Sequence, residues 1–175
     1  MKNQLFEILK EILGILVVAF VLAMTLRTFV IDARVVPTGS MLPTIQLKDR
    51  LLVDKVTPHF VDLKRGDIIV FKPPEGISVK EDLVKRLIGL PGDKIEVKDN
   101  TVFVNNTPLD EPYLAQRPNY DYGPVTVPPN SLFMMGDNRN SSYDSHLWGV
   151  WLTRDHVIGR AFAIYWPTNH ARMLK

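Results

Sequence analysis

The distribution of apolar residues divides the chain into two unlike parts. Residues 12–26 carry no charge and are mostly aliphatic or aromatic, with Lys10 and Glu11 before them and Arg27 after them. After residue 35, apolar residues occur in short runs between turn residues, and no long stretch has helical periodicity. The pattern predicts an N-terminal helix followed by a domain that is mainly β.

Short β-rich runs predict the strands of the second part. The clearest runs are residues 51–53, 68–71, 132–135 and 157–166. Another pair of runs, residues 95–98 and 101–104, is separated by an Asp-Asn dipeptide, which predicts a hairpin. Residues 105–130 are rich in Pro, Tyr, Asn and Asp and predict an irregular excursion. This excursion is either the rim or lid of a site or a solvated surface loop.

The N-terminal apolar run has three interpretations. It is fifteen residues long, whereas a membrane span usually needs roughly 20 residues, but flanking apolar residues and snorkelling of Lys10 and Arg27 extend it. We therefore predict a single transmembrane anchor over about residues 10–28, within an N-terminal segment 1–31. A cleaved signal peptide is disfavoured because no small-x-small site follows the run, and a buried core helix is the third interpretation. Basic residues flank the run on both sides, so charge does not determine the topology.

Composition excludes several classes of function. The net charge of +2 at pH 7 is too small to suggest a nucleic-acid surface. The absence of cysteine excludes disulfides, cysteine nucleophiles and thiolate metal sites. Neither a paired His/Asp spacing nor a Gly-rich phosphate loop is present in the sequence. We predict no metal, no cofactor and no nucleic-acid partner.

A serine on stiff backbone is the first candidate for chemistry. Ser40 follows Gly39, and Pro37 and Pro43 bracket it. Proline fixes its own φ, and glycine permits a close backbone approach or a positive φ. Such a segment can hold a nucleophile with its own N–H directed at an oxyanion. The alternative is a serine in an ordinary turn.

A lysine in an apolar, strand-like run is the second candidate. Lys85 and Arg86 lie within the run 83–88. Because side chains alternate between the faces of a strand, one of the two cations is expected to point inward. Burial disfavours the charged form of lysine, lowers its pKa and lets it accept a proton from a hydroxyl. The alternative is two exposed basic residues on an edge strand.

A dense polar loop after the predicted strand 132–135 is the third candidate. Its residues with ionisable or hydroxyl groups include Asp137, Arg139, Ser142, Asp144 and His146. At this density they can form a buried hydrogen-bond network that positions a base. The alternative is a solvated turn, since Asp, Asn and Ser also favour turns.

Together, in this order after an apolar N-terminal run, the three segments resemble the bacterial type I signal peptidase family. The motifs that carry the resemblance are Ser-Met-x-Pro-Thr, Lys-Arg-x-x-Gly-x-Pro-Gly-Asp and Gly-Asp-Asn-Arg-x-x-Ser-x-Asp-Ser. The resemblance extends from the N-terminal run through Gly149 and on to Trp166. It implies a signal-peptidase-like β fold of short antiparallel strands with one N-terminal transmembrane helix. The catalytic domain would then be extracytoplasmic and comprise residues 32–175.

The same resemblance implies roles for individual residues. Ser40 is expected to be the nucleophile and Lys85 the general base. The Ser40 backbone N–H and the Thr38 hydroxyl are expected to stabilise the oxyanion, and Ser142 to orient the lysine amine. The other matched positions are expected to be supporting residues, namely Asp144, Arg139, Asp137 and Arg86.

The function implied by the resemblance is that of a membrane-bound serine endopeptidase. Such an enzyme cleaves N-terminal signal peptides from exported preproteins after small-x-small sites. Its partners are preprotein signal peptides and the lipid bilayer. Its expected location is the cell membrane, with a single pass. The sequence does not indicate an oligomeric state.

One position departs from the family pattern. His146 stands where many family members have arginine, so the charge there depends on pH, and the position offers Asp144 no arginine. It is also a rival base, because histidine is the commonest partner of a catalytic serine. The remaining histidines lie in no recognisable constellation and are predicted to be surface or structural residues, namely His59, His156 and His170.

Two other functions share part of this pattern. A repressor-type, self-cleaving Ser–Lys protease would have a DNA-binding module and an Ala-Gly cleavage dipeptide, and the sequence shows neither. A catalytically silent, membrane-tethered domain that binds peptides would have lost its nucleophile or its lysine. Both Ser40 and Lys85 are present, so the peptidase is the favoured interpretation.

Overall fold

The computed structural model describes residues 2–174, except for some side chains in the first helix and that of residue 59. The prediction for His59 concerns this side chain and therefore lies outside the described part of the chain. The first helix, α1, spans Lys2–Phe29. The side chains described within it are exposed, so the interpretation as a buried core helix is wrong.

The predicted transmembrane anchor has no counterpart among the described residues. None of the helices within them is both long enough and apolar enough to span a membrane. The side chains of residues 26–29, into which the predicted anchor extends, lie outside the described part.

After α1 the chain consists mainly of short strands. In chain order they are β1 (Ile31–Val35), β2 (Arg50–Asp54), β3 (Ile68–Phe71), β4 (Leu83–Gly89), β5 (Lys94–Lys98), β6 (Thr101–Val104), β7 (Thr107–Pro108), β8 (Tyr122–Thr126), β9 (Ser131–Met135), β10 (Leu152–Thr153), β11 (Val157–Trp166) and β12 (Arg172–Met173). Two four-residue helices, α2 (Thr57–Phe60) and α3 (Ser145–Trp148), lie between them. Three 3₁₀ turns span Arg139–Ser141, Arg154–His156 and Thr168–His170.

These strands form two antiparallel sheets. The larger sheet has the order β1-β2-β11-β3-β4-β9-β10, and β12 pairs with β11. The smaller sheet has the order β7-β6-β5-β8. The prediction of a mainly β domain of short antiparallel strands is confirmed. The predicted runs 51–53, 68–71, 132–135 and 157–166 lie in β2, β3, β9 and β11, and the predicted hairpin is formed by β5 and β6.

The apolar core fixes the segments on which the candidate residues lie. One cluster contains Met41 and Ile45, from the connection between β1 and β2, packed with Leu51 and Val53 of β2. Each of these side chains is at most 1% exposed, and burial of a side chain of this size contributes roughly 1.5–3 kcal/mol. The connection that carries Ser40 is therefore tied to the larger sheet by its own apolar residues.

Candidate active site

Ser40 and Lys85 meet at a buried contact. The Lys85 Nζ atom lies 2.6 Å from Ser40 Oγ. Lys85 is 2% exposed and Ser40 is 8% exposed. Ser40 lies in the turn after β1, and Lys85 lies on β4. The structure therefore brings the first two candidate segments together.

The strand β4 explains why both of its cations are buried. It lies between β3 and β9 in the larger sheet, and all its residues from Lys85 onward are buried. The alternative of an exposed edge strand is therefore wrong. The expectation that only one of the two cations points inward is also incomplete, because Arg86 is 2% exposed like Lys85. Both faces of this strand are covered, so neighbouring side chains on opposite faces are both enclosed.

Burial changes the acid–base chemistry of the lysine. Loss of solvation lowers the pKa of Lys85 from 10.5 to about 8, while the nearby Asp144 carboxylate acts in the opposite direction. Near pH 8 about half of the amine is then neutral. A neutral amine in contact with a hydroxyl can accept its proton.

Thr38 contributes a second hydroxyl beside the serine. Its Oγ1 lies 3.4 Å from Ser40 Oγ. The Thr38 residue is exposed, whereas Ser40 is buried. Two hydroxyl groups and the Lys85 amine thus lie close together.

The polar loop after β9 holds the Ser40 turn from the other side. The Asn138 backbone N–H donates to the Ser40 carbonyl oxygen at 3.0 Å, and its Nδ2 donates to the Gly39 carbonyl oxygen at 3.1 Å. Gly136 allows this close approach, because a Cβ there would overlap the Ser40 carbonyl oxygen and the Ser142 hydroxyl. Sequence reasoning missed Asn138 as a site residue, although it lies within the motif that indicated the loop.

Ser142 lies in this loop but does not make the contact expected of it. Its side chain is buried, and its Oγ has no hydrogen-bond partner among the described residues. The expected hydrogen bond to the Lys85 amine is therefore not formed in this structure. The Lys85 amine is directed at Ser40, and the Ser142 hydroxyl packs against Gly136.

Asp144 is the carboxylate that acts on the lysine. It is fully buried, its Oδ2 accepts the Gly136 N–H at 2.8 Å, and its Oδ1 lies 2.6 Å from His146 Nδ1. The His146 ring also stacks on Tyr120, with ring centroids 4.2 Å apart. The contacts of His146 among the described residues thus join it to Asp144 and to aromatic rings. Lys85 is the titratable group in hydrogen-bond contact with the Ser40 hydroxyl.

Two further ion pairs support the loop. Arg86 and Asp137 form a bidentate pair, with Nε to Oδ1 at 2.9 Å and the second nitrogen to Oδ2 at 2.7 Å. Asp137 also accepts the Thr44 hydroxyl at 2.5 Å, which joins the pair to the segment after Ser40. Asp137 and Arg86 thus connect β4, the polar loop and the connection between β1 and β2.

Arg139 binds a residue that the sequence did not indicate. Its guanidinium donates to both carboxylate oxygens of Glu111, with a distance of 2.7 Å to Oε2, and its Nε donates to the Gly136 carbonyl oxygen at 3.0 Å. The side chain of Arg139 is 0% exposed and that of Glu111 is 7% exposed. Glu111 lies in the predicted excursion, so part of this excursion packs against the site. Neither the alternating pattern of a strand nor a motif in the sequence indicates Glu111.

A cavity opens beside the serine. It has a volume of about 310 Å³. Its lining is mostly apolar and includes Val36, Met41, Leu83 and Val84 together with Thr38 and Ser40. Asp82 also lines it and binds Arg34 at 2.6 Å. Within residues 2–174, no cluster of His, Asp or Glu has the arrangement of a metal site.

A serine hydroxyl against a buried lysine amine, in a mainly antiparallel β domain, is the arrangement that a hydrolase with a serine nucleophile and a lysine base would need. Comparison with known proteins agrees with this class. The family described as "Signal peptidase, peptidase S26" matches residues 9–166. The chain belongs to this family, and the resemblance inferred from the sequence motifs is confirmed.

Individual relatives match most of the chain. A signal peptidase I of Leptolyngbya laminosa is 48% identical over 154 residues, which cover 85% of this chain and 75% of that protein. A signal peptidase I of Bacillus licheniformis is 36% identical over 181 residues, which cover 98% of this chain and 94% of that protein. A crystal structure of a signal peptidase I from Enterococcus faecalis V583 matches with a TM-score of 0.50 and 32% identity, and covers 57% of this chain and 97% of that one.

Proposed function

We propose that this chain is a serine endopeptidase that removes N-terminal signal peptides from exported preproteins. The observation that carries the proposal is the buried contact of 2.6 Å between Lys85 Nζ and Ser40 Oγ. The family and the names of its members supply the substrate class. A catalytically silent binding domain is disfavoured, because it has no need of a buried lysine whose burial lowers its pKa toward neutrality.

Acylation begins with attack of Ser40 Oγ on the scissile carbonyl carbon. Neutral Lys85 accepts the hydroxyl proton as the new C–O bond forms. The oxyanion is stabilised by the Ser40 backbone N–H and the Thr38 hydroxyl. Loss of one such donor typically costs about 3–4 kcal/mol in the barrier. When the C–N bond breaks, the Lys85 ammonium protonates the leaving amine, which is the new N-terminus of the mature protein.

Deacylation uses the same lysine a second time. The amine, neutral again, accepts a proton from water as the water oxygen attacks the Ser40 ester. When the ester C–O bond breaks, the ammonium returns a proton to Ser40 Oγ and the signal-peptide carboxylate is released. One residue acts first as a base and then as an acid, which requires a pKa near the working pH. Ser142, Asp144, Arg139, Asp137 and Arg86 are proposed as supporting residues that keep the polar loop in place.

The cavity beside Ser40 supports a site for substrate side chains before the cleaved bond. Its lining is mostly apolar, and its volume of about 310 Å³ is shared by all the side chains that enter it. An extended substrate carries alternate side chains to the same face. We therefore propose that the first and third residues before the cleaved bond enter this cavity. The preference for small side chains such as alanine is what the family resemblance implies.

The exposed apolar residues of α1 support a location at the membrane. Ile15, Leu16 and Phe20 are each at least 60% exposed, and an apolar surface of this kind is stable in contact with lipid. We propose that α1 holds the chain at the cell membrane, with the domain 32–175 on the extracytoplasmic side. Because Ser40 follows α1 closely in the chain, the active site would then lie near the bilayer surface.

A precursor-cleavage assay tests the proposed function. We expect Ser40→Ala to lower kcat by roughly 10⁶-fold, because removal of the nucleophile of a serine hydrolase has an effect of that order. Cleavage of a preprotein with a small-x-small site is measured by the appearance of the mature N-terminus. Ser141→Ala is the matched control, since Ser141 is exposed in the same chain, and it should cleave like the wild type.

Two outcomes would contradict the proposed function. Full cleavage by Ser40→Ala would show that Ser40 is not the nucleophile. A wild-type protein that binds the precursor without cleaving it would favour the silent binding domain.

A further inference from the structure

The family model matches the chain only up to a point shortly before its last residues. The family match ends at residue 166, and residues 167–174, which we name the C-terminal segment, follow it. After a 3₁₀ turn, the short strand β12 pairs with β11 through Ala163↔Met173 and Ile164↔Arg172. The segment thus folds back along the larger sheet, on the strand that also pairs with β2.

Next to this segment lies the connection that carries the proposed nucleophile. We name residues 36–49, which join β1 to β2, the nucleophile segment. Backbone hydrogen bonds close its base, from Val36 N–H to the Asp49 carbonyl oxygen at 2.9 Å and from Lys48 N–H to the Val36 carbonyl oxygen at 2.8 Å. It contains no strand, although turn hydrogen bonds such as that from Ile45 N–H to the Met41 carbonyl oxygen at 2.9 Å lie within it. Its position relative to Lys85 therefore depends on contacts with other parts of the chain.

His170 of the C-terminal segment provides one such contact. Its Nδ1 lies 2.9 Å from Asp49 Oδ2 and 3.0 Å from Asp49 Oδ1. Asp49 is 1% exposed, and its Oδ2 also accepts the Gln46 N–H at 2.8 Å. A buried carboxylate is costly without hydrogen-bond partners. The imidazole therefore satisfies the carboxylate that organises the end of the nucleophile segment.

Arg172 and Leu174 provide two more contacts. Arg172 donates to the Thr44 carbonyl oxygen at 2.6 Å, only a few residues from Ser40. Leu174 packs against the apolar cluster that contains Met41 and Ile45 of the nucleophile segment. These contacts come from a different part of the chain than those of the polar loop after β9. The nucleophile segment is thus held from two independent directions.

We propose that the C-terminal segment is a clamp on the nucleophile segment, and that His170 and Arg172 are positioning residues for Ser40. This inference rests on the proposed function. Lys85 is fixed in β4 by the sheet, so a displacement of the nucleophile segment changes the distance between Ser40 and its base. Misplacement of a reacting group by about 1 Å can cost roughly 10²-fold in rate. The clamp should therefore act on kcat more than on KM.

Two pairs of substitutions in the full chain test the clamp. His170→Leu with Arg172→Gln removes the contact to Asp49 and the cationic donor to Thr44. We expect kcat to fall roughly 10-fold, a fraction of the effect of a full 1 Å misplacement, with little change in KM. His170→Asn with Arg172→Lys keeps a donor at position 170 and a cationic donor at position 172, and it should restore most of the rate.

A matched control separates the clamp from a general effect of surface charge. Arg154 is exposed like Arg172, but it contacts the side chain of Asp62 instead of the nucleophile segment. Arg154→Gln should leave kcat and KM unchanged. An equal loss of rate in this variant would overturn the assignment of a specific role to His170 and Arg172.

Hydrogen exchange measures the clamp without activity. Amide exchange at Gln46 and Lys48 should be faster in the Leu/Gln double variant and return toward the wild-type rate in the Asn/Lys variant. Unchanged exchange together with unchanged kcat would overturn the clamp, even where Ser40→Ala still abolishes cleavage. A lower Tm with normal kcat would assign the segment to stability alone and would also overturn it. If the wild type does not cleave the precursor, the proposed function fails, and the exchange rates alone decide the clamp.

Discussion

Lys85→Arg should be nearly inactive, with kcat/KM lower by roughly 10³-fold. Arginine stays protonated at any pH at which the enzyme is folded, so it cannot accept the Ser40 hydroxyl proton. The substitution keeps a long cationic side chain at a position that is 2% exposed. A loss of activity would therefore be caused by the missing proton acceptor and not by a missing positive charge. Cleavage of a signal-peptide precursor under single-turnover conditions measures it.

His146 is the control for this prediction, because it is the rival base. His146→Gln should retain most of the activity, since the histidine contacts Asp144 at 2.6 Å and its described contacts do not include Ser40. If Lys85→Arg retained more than a few per cent of wild-type activity while His146→Gln lost it, the roles of the two residues would have to be exchanged.

Asp137→Ala should destabilise the fold by about 3–5 kcal/mol, the usual cost of removing one partner of a buried ion pair. Arg86 and Asp137 are 2% and 0% exposed in their side chains, so the guanidinium would remain buried after losing its bidentate carboxylate. The Thr44 hydroxyl would lose its acceptor as well. For a chain of this size the loss corresponds to a decrease in Tm of roughly 10 °C, which thermal unfolding followed by circular dichroism measures.

An exposed pair in the same chain provides the control. Asp62 is 96% exposed in its side chain and lies 3.4 Å from Arg154, and exposed pairs of this kind contribute little to stability. Asp62→Ala should leave Tm nearly unchanged. A decrease in Tm as small for Asp137→Ala as for Asp62→Ala would show that the buried pair does not hold β4 and the polar loop together.

The strands were predictable because local pattern determines them. The runs that form β2, β3, β9 and β11 are apolar and short, and turn residues separate them. The hydrophobic pattern and the turn-forming residues therefore indicate the same strands. The meeting of Ser40 and Lys85 is a different case. The local sequence pattern predicts a turn for Ser40 and a strand for Lys85. Only the family resemblance predicts that the two side chains act together. The burial of Arg86 beside Lys85 depends on strand order, which places β4 inside the sheet and which no local pattern specifies.

The residues that sequence reasoning missed are those whose partners are distant in the chain. Glu111 lies in a stretch without hydrophobic periodicity, and only the folded structure brings its carboxylate to Arg139. The sequence predicts a surface or structural role for His170, which its contact with Asp49 does not contradict, but nothing near His170 in the sequence indicates Asp49 as its partner. Ser142 shows the opposite limit, since the resemblance implied a contact with Lys85 that this structure does not contain. Long-range pairing of polar side chains has no short-range sequence signal.

The pH dependence of kcat/KM for precursor cleavage tests the central claim most directly. The reactive form of Lys85 is the neutral amine, which predominates above its pKa, and burial lowers that pKa to about 8. We therefore expect kcat/KM to rise tenfold per pH unit below this value and to level off above it. A rise centred near 10.5, the ordinary pKa of lysine, or a rate that stays level from about pH 6 to 9 would contradict the account.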